Sequence, residues 1–288
     1  MKKVLSIILF IKIYALSLLP LRVLYLISDF LFVLVFYVFK YRRTVVQENL
    51  ANAFPEKTPR ERRQIEKKFF RYLCDLMVEI LKKLTLSKKE GYRRCSLKNA
   101  DLTQRLAQEN KNIIAVTGHY ANWEWGDLCL GAKVTHQVYA IYKPLSNKPF
   151  NSLMKKMRTR FGMKLISMRE TYRAVVSNND HLNATYFIAD QTPSAEGAYW
   201  TRFLNQDTAV FKGAARIAKK MGYPVLYVVT RRKGRGIYEM ELELIVEDPS
   251  TLTEEEICEL YTRRLEEDIL KEPELWLWSH RRWKHKRP

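Results

Sequence analysis

The chain of 288 residues contains no Gly-x-Ser-x-Gly, no P-loop and no His-Glu-x-x-His. It therefore carries no signature of a serine esterase, a phosphate-cradling nucleotide loop or a zinc protease. Its four cysteines, Cys74, Cys95, Cys129 and Cys258, are scattered, with no Cys-x-x-Cys and no metal-ligand spacing alongside histidine. They read as buried thiols of a reducing compartment and give only weak support to disulfides. No linker, repeat or low-complexity segment interrupts residues 44–288, which are expected to form one domain behind an N-terminal segment, residues 1–43. Acidic residues are scarce: 31 Asp and Glu stand against 50 Lys and Arg, a formal charge of +19. That excess implies an anionic partner, whether nucleic acid, an anionic membrane face, a phosphorylated substrate or an acidic protein. Hydrophobic residues make up 47% of the chain, enough for a full core and too many for a disordered protein.

Residues Val4 to Phe39 are apolar apart from Lys12, Pro20, Arg22 and Asp29. The two halves each fall a little short of the ~20 residues of a perpendicular span, so a tilted span, a re-entrant pair and an interfacial helix all fit. Met1-Lys2-Lys3 resembles the start of a signal peptide, but the run is too long and no Ala-x-Ala site ends it, which favours an uncleaved anchor. Lys40, Arg42 and Arg43 follow, and positive residues beside a membrane segment stay cytoplasmic. The bulk of the protein is expected on that side. Thr58-Pro59 with Glu61 opens a helix whose stripe is Phe69, Phe70, Leu73, Leu76, Met77, Ile80 and Leu81. Its basic face, with Arg60, Arg62, Arg63, Lys67, Lys68 and Arg71, suits solvent or anionic headgroups equally.

Beyond Asn99 helical and strand patterns alternate. Strands are expected over 113–117, 137–142, 164–167, 184–189, 224–230 and 237–246. Helices are expected over 102–109, 123–131, 150–161, 171–177 and 213–221, with a last one opened by Thr253. The alternation predicts an α/β fold with a mixed, largely parallel sheet flanked by helices. Ligands of such sheets bind beyond the carboxyl ends of strands, and three loops there are polar: Gly118 to Glu124, Lys143 to Asn147, and Asp190 to Pro193. In the first, Asn122 can cap a helix beginning at Trp123. Glu124 then sits in the first turn and can reach back to His119, fixing its tautomer for general-base work. A hydrogen-bonded loop histidine beside an ordinary helix start explains the spacing equally well. Lys155, Lys156, Arg158 and Arg160 could bind phosphate or simply face solvent, and Asp190 could be a turn residue. The tail Glu274 to Arg287 mixes three tryptophans with cations, a composition suited to lipid headgroups, phosphate, cation–π packing or, beside an anchor less readily, nucleic acid.

The ordered motifs resemble those of the bacterial lysophospholipid acyltransferase superfamily, and within it the late acyltransferases of lipid A biosynthesis. They are Tyr41-Arg42-Arg43 with Glu48-Asn49-Leu50 and Ala53-Phe54-Pro55, His119-Tyr120-Ala121-Asn122-Trp123-Glu124, Tyr142-Lys143-Pro144 with Asn147, Arg158-Thr159-Arg160, Asp190-Gln191-Thr192-Pro193, Gly213-Ala214-Ala215-Arg216, and Trp278-Ser279-His280-Arg281-Arg282-Trp283-Lys284. The resemblance implies a glycerolipid-acyltransferase-like fold and transfer of a fatty acyl chain from acyl carrier protein, or coenzyme A, to a lipid hydroxyl at the cytoplasmic face of the inner membrane. It implies His119 and Glu124 as the catalytic pair, with Arg158, Asp190, Arg160, Gln191, Asn122 and Lys143 around the substrate. No cofactor or metal is implied beyond the acyl donor, and the implied partners are acyl carrier protein, the lipid acceptor and an anionic membrane surface, without nucleic acid. Two positions depart from the family pattern. Lys143 stands where arginine is common, which weakens bidentate phosphate binding there. Asp190-Gln191-Thr192-Pro193 replaces the Glu-Gly-Thr of glycerolipid relatives, which favours the lipid A branch. A phospholipid or aminolipid acyltransferase, or a non-catalytic basic membrane-tethered protein, are the alternatives.

Overall fold

The computed structural model describes residues 2–177 and 181–287. The apolar N-terminus forms α1 (Lys2–Leu18) and α2 (Leu21–Val33), separated at Pro20, whose lack of an amide hydrogen suits the start of a helix. A π-helical turn, Leu34–Val38, prolongs α2. Leu21–Val38 is the one stretch of described residues long and apolar enough to cross a bilayer. At 1.5 Å per residue it reaches about 27 Å, near the lower limit for a span. It is also stitched to the rest of the protein. Phe32 and Phe36 join the main core, Ser28 Oγ donates to Asp75 at 2.7 Å, and Arg235 bridges Asp29 and Asp75.

Helix α3 (Arg43–Ala53) stops at the Asn52-Ala53-Phe54-Pro55 break. Helix α4 (Pro59–Lys82) opens with a reciprocal capping box between Thr58 and Glu61, as the sequence indicates. Its stripe buries Phe69, Phe70 and Leu76, whereas Met77 is 54% exposed. The α/β part then runs α5 (Lys88–Arg94), β1 (Cys95–Lys98), α6 (Asp101–Gln108), β2 (Ile113–Thr117), α7 (Gly126–Leu130), β3 (Gln137–Tyr142), α8 (Lys148–Arg158), β4 (Lys164–Ser167), α9 (Thr171–Ser177) and β5 (Asn183–Ile188). It continues through β6 (Tyr199–Phe203), β7 (Gln206–Val210), α10 (Gly213–Met221), β8 (Val225–Gly234), β9 (Ile237–Val246) and α11 (Glu254–Lys271).

Seven strands form one sheet in the order β1-β9-β8-β2-β5-β3-β4. Every pairing is parallel except the β8–β9 hairpin, so the sheet is mixed and largely parallel with helices packed against it. Strand β2 is buried at all five positions, which matches its unbroken Ile-Ile-Ala-Val-Thr run and a place at the middle of a covered sheet. The β6–β7 hairpin forms a separate two-stranded ribbon without the alternating burial that would announce a strand, whereas β1 alternates over only four residues.

Two sequence expectations change here. Cys95, opening β1, and Cys129, on α7, are joined in a disulfide with their Cα atoms 5.5 Å apart, while Cys74 and Cys258 are buried thiols. The pairing joins residues 34 apart in sequence and leaves no local motif. The tail tryptophans are not a headgroup belt either: Trp276 and Trp278 are buried in the core and stack edge-on, with ring centroids 4.8 Å apart.

Candidate active site

Strands β2 and β5 are parallel neighbours with Thr117 opposite Ile188, and the Ala189 amide extends the ladder to the Thr117 carbonyl at 2.9 Å. His119 and Asp190 each lie two residues past their strand's end, so the register alone sets them side by side at the carboxyl edge of the sheet. His119 Nδ1 meets Asp190 Oδ1 at 2.5 Å, and the His119 backbone amide donates to Asp190 Oδ2 at 2.7 Å. Trp276 Nε1 donates to the same Oδ2 at 2.8 Å. Gly118 permits this approach, since a Cβ there would lie 2.7 Å from Leu265 and 3.2 Å from Asp190 Oδ2.

Burial alone would raise the Asp190 pKa, but the charge and hydrogen bonds of His119 and the indole of Trp276 outweigh it and hold the carboxyl at about 2. Asp190 is thus an ionised carboxylate on Nδ1, which keeps the Nδ1 proton in place and leaves Nε2 as the basic nitrogen. Nε2 meets the Gln191 amide at 3.1 Å and lines a cleft of 220 Å³. The indole of Trp123 packs edge-on against the imidazole at 4.9 Å.

The hydrogen bond expected between Glu124 and His119 is therefore not the one that forms. Asn122 leads into a single 3₁₀ turn, Trp123–Trp125, before α7, and His119 precedes it in the loop. Glu124 turns to the guanidinium of Arg158 at the end of α8, accepting from Nε at 2.9 Å and from Nη2. Burial favours the neutral acid, yet the hydrogen bond and charge of Arg158, reinforced by Lys83 and His119, lower the Glu124 pKa below its ordinary value. A bidentate guanidinium is the stronger partner, and it takes the carboxylate.

Beneath this pair lies a buried ion pair with no motif to reveal it. Lys83, where α4 ends, meets Asp127 Oδ1 at 2.5 Å with both side chains 1% exposed, and it also donates to the Glu124 carbonyl. Burial pushes the Asp127 carboxyl up to about 6 despite Lys83. The cleft gathers Lys83, His119, Glu124, Asp127, Lys143, Arg158 and Gln191 on its polar side, and Tyr142, Leu145, Met163, Leu165 and Met168 among its apolar walls.

Of the expected substrate contacts, Lys143, Arg158 and Gln191 line the cleft, while Asp190 stands behind His119. Two others lie elsewhere. The side chain of Asn122 is fully buried and makes no cap; its Nδ2 donates to Glu79 on α4 at 2.7 Å. Arg160 turns to the end of α4, donating to the carbonyls of Lys83, at 3.0 Å, and Leu84. One neighbour of the site absent from the sequence reading, Trp276, comes from the tail, whose antiparallel bridge to Tyr120 carries it to the loop. Ala121, with φ +48°, holds that loop in the left-handed region that a non-glycine residue adopts only under tertiary constraint.

A histidine held by a carboxylate, facing a cleft with cations on one wall and hydrocarbon on another, can deprotonate a hydroxyl. The profile described as bacterial lipid A biosynthesis acyltransferase matches residues 2–285. The chain belongs to that family. Similar proteins include the lipid A biosynthesis palmitoleoyltransferase of Escherichia coli (strain K12), 22% identical over 246 residues, covering 85% of this chain and 79% of the relative. The lipid A biosynthesis acyltransferase of Haemophilus influenzae (strain ATCC 51907 / DSM 11121 / KW20 / Rd) is 25% identical over 246 residues, covering 83% and 74%. This lipid A biosynthesis acyltransferase family member is an acyltransferase with an apolar N-terminal helix consistent with membrane association. Among its described residues no group of three His, Cys, Asp or Glu is placed to hold a metal ion.

Proposed function

We propose that the enzyme moves a fatty acyl chain from the thioester of acyl carrier protein to a hydroxyl of a phosphorylated glycolipid, a lipid A precursor, at the cytoplasmic face of the inner membrane. The observation that carries this reading is the His119 imidazole, pinned by Asp190 through Nδ1 at 2.5 Å with Nε2 on the cleft. Nε2 takes the proton of the acceptor hydroxyl as the oxygen attacks the thioester carbonyl. The tetrahedral intermediate then collapses, the carbon–sulfur bond breaks, and the thiolate leaves with the proton from Nε2. Transfer is direct, with no acyl-enzyme.

Asp190 holds the tautomer and balances the imidazolium. Glu124 acts through Arg158, which it fixes on the cleft wall, where the guanidinium can stabilise the oxyanion or bind phosphate. Lys143 adds positive charge to the cleft, and the net charge of +19 suits an acidic carrier protein and an anionic bilayer face. Lys40, Arg42 and Arg43, next to the apolar segment, support the cytoplasmic placement.

The test is mass spectrometry of purified protein with acyl carrier protein thioesters and a panel of acceptors: lipid A precursor, phospholipid and aminolipid. A mass gain of one acyl chain on the glycolipid is expected. A gain on phospholipid alone would replace the acceptor, and no gain on any would overturn the reading.

A further inference from the structure

A second groove, of 570 Å³, lies between the end of the apolar N-terminal helix, the outer face of α4 and the C-terminal tail. Phe39, Leu73, Met77 and Leu277 form its apolar walls, with Arg42 and His280 at its polar edge. It shares no lining residue with the cleft that holds His119, Glu124 and Arg158, yet its tail wall touches the backbone of the His119 loop. The Leu277 amide donates to the His119 carbonyl at 3.2 Å, and His280 Nε2 lies 3.4 Å from Thr192 Oγ1, next in sequence to Gln191. Burial lowers the His280 pKa to about 4, so this end of the groove stays uncharged at neutral pH.

At the other end Phe39 is 70% exposed, and Leu26, Phe30 and Val38 of the membrane-length stretch are exposed as well. Arg42 sits at the rim, fixed by its bond to the Ser279 carbonyl at 3.0 Å, and no carboxylate among the described residues pairs with it. A transfer reaction between two lipidic substrates needs two sites converging on one base. A hydrocarbon groove lined by the end of the membrane-length stretch and rimmed by a cation without a carboxylate partner has the chemistry of a substrate that arrives from a membrane.

We propose that this groove binds an acyl chain of the membrane-borne, anionic lipid acceptor, with Arg42 beside its headgroup, leaving the charged cleft to the thioester donor. The inference rests on the acyltransferase reading above. Met77→Trp fills the groove from an exposed position where misfolding is not expected, and Met77→Leu is the conservative control. Rejecting even one methylene from a hydrophobic pocket corresponds to roughly 10- to 200-fold. Met77→Trp should therefore raise the acceptor KM by at least about 10-fold, with the KM for the acyl carrier protein thioester unchanged and Met77→Leu close to wild type. A rise in the donor KM alone would give the groove to the donor chain and overturn the assignment, as would no change in either constant.

A turnover-independent arm separates this inference from the activity. His119→Ala protein in vesicles of phosphatidylglycerol with a diazirine-bearing acyl chain should crosslink at peptides containing Met77 and Leu277, and Met77→Trp should abolish that crosslink. Crosslinking there without acyl transfer by wild type would sink the acyltransferase reading and leave the groove standing. Transfer without crosslinking there would do the reverse.

Discussion

Asp190→Asn tests the catalytic arrangement at a single atom. Oδ2 of Asp190 accepts two fixed donors, the His119 amide at 2.7 Å and Trp276 Nε1 at 2.8 Å. An asparagine must keep its oxygen there, because turning the amide NH₂ towards those donors would oppose donor to donor in a buried site. The NH₂ then replaces Oδ1 and faces His119 Nδ1, now 2.5 Å from the carboxylate. Nδ1 becomes the acceptor, the proton moves to Nε2, and the base facing the cleft is lost. Where such a tautomer reversal has been isolated in serine proteases it costs about 10⁴ in turnover, equivalent to about 5.5 kcal/mol of barrier. The expected result is a fall in kcat of about 10³- to 10⁴-fold with substrate KM values little changed, measured by product mass in single-turnover and steady-state reactions. Glu124→Gln should differ: it loosens Arg158 and should raise KM as well as lower kcat. Wild-type turnover in Asp190→Asn beside an inert Glu124→Gln would refute the His119–Asp190 pairing as the catalytic one and restore the pairing suggested by sequence spacing.

Three further outcomes follow from buried charges and from the disulfide. Lys83→Met leaves Asp127 buried without its cation and should cost roughly 3–5 kcal/mol, read from denaturant or thermal unfolding in detergent; adding Asp127→Leu should recover much of the loss, and additive losses would contradict a paired buried site. Glu79 is fully buried among Tyr238, Asn122 and Tyr25, and burial raises its carboxyl from 4.5 to about 7. The folded form thus binds a proton more tightly than the unfolded form, so the Glu79 contribution is fully present below pH 4.5 and is lost as pH rises to about 7. A stability decline on the order of 3 kcal/mol is expected across that window, and an undiminished slope in Glu79→Gln would show that other groups cause it. A cytoplasmic catalytic domain should keep Cys95 and Cys129 as thiols in the cell, closing only on oxidation. Acid-quenched cells, denatured and alkylated without reductant, should label both cysteines; labelling only after reduction would contradict the cytoplasmic placement.

The parts of the fold with strong local signals were legible. Strands β2, β4 and β9, helices α9, α10 and α11, and the capping box of α4 follow from apolar runs, alternation and caps that need no tertiary information. The β6–β7 hairpin was not, because its residues lack regular alternation, and neither was β1, whose alternation spans only four residues. At the site, His119 could be singled out, since it follows a buried strand and a permissive Gly118. Its partner could not be chosen by spacing. Asp190 lies 71 residues away and meets His119 through the parallel register of β2 and β5, which no periodicity encodes, whereas Glu124 is near in sequence but is claimed by Arg158 from α8. Asn122 and Arg160 look alike in sequence to exposed polar residues. Their inward contacts depend on α4, which supplies Glu79 to one and carbonyls at its C-terminal end to the other.

The most direct test of the central claim is the mass of a lipid A precursor incubated with an acyl carrier protein thioester and either wild-type enzyme or His119→Ala in vesicles. A gain of one acyl chain is expected with wild type and none with His119→Ala, although both proteins sediment with the vesicles. Equal gains with both would contradict it.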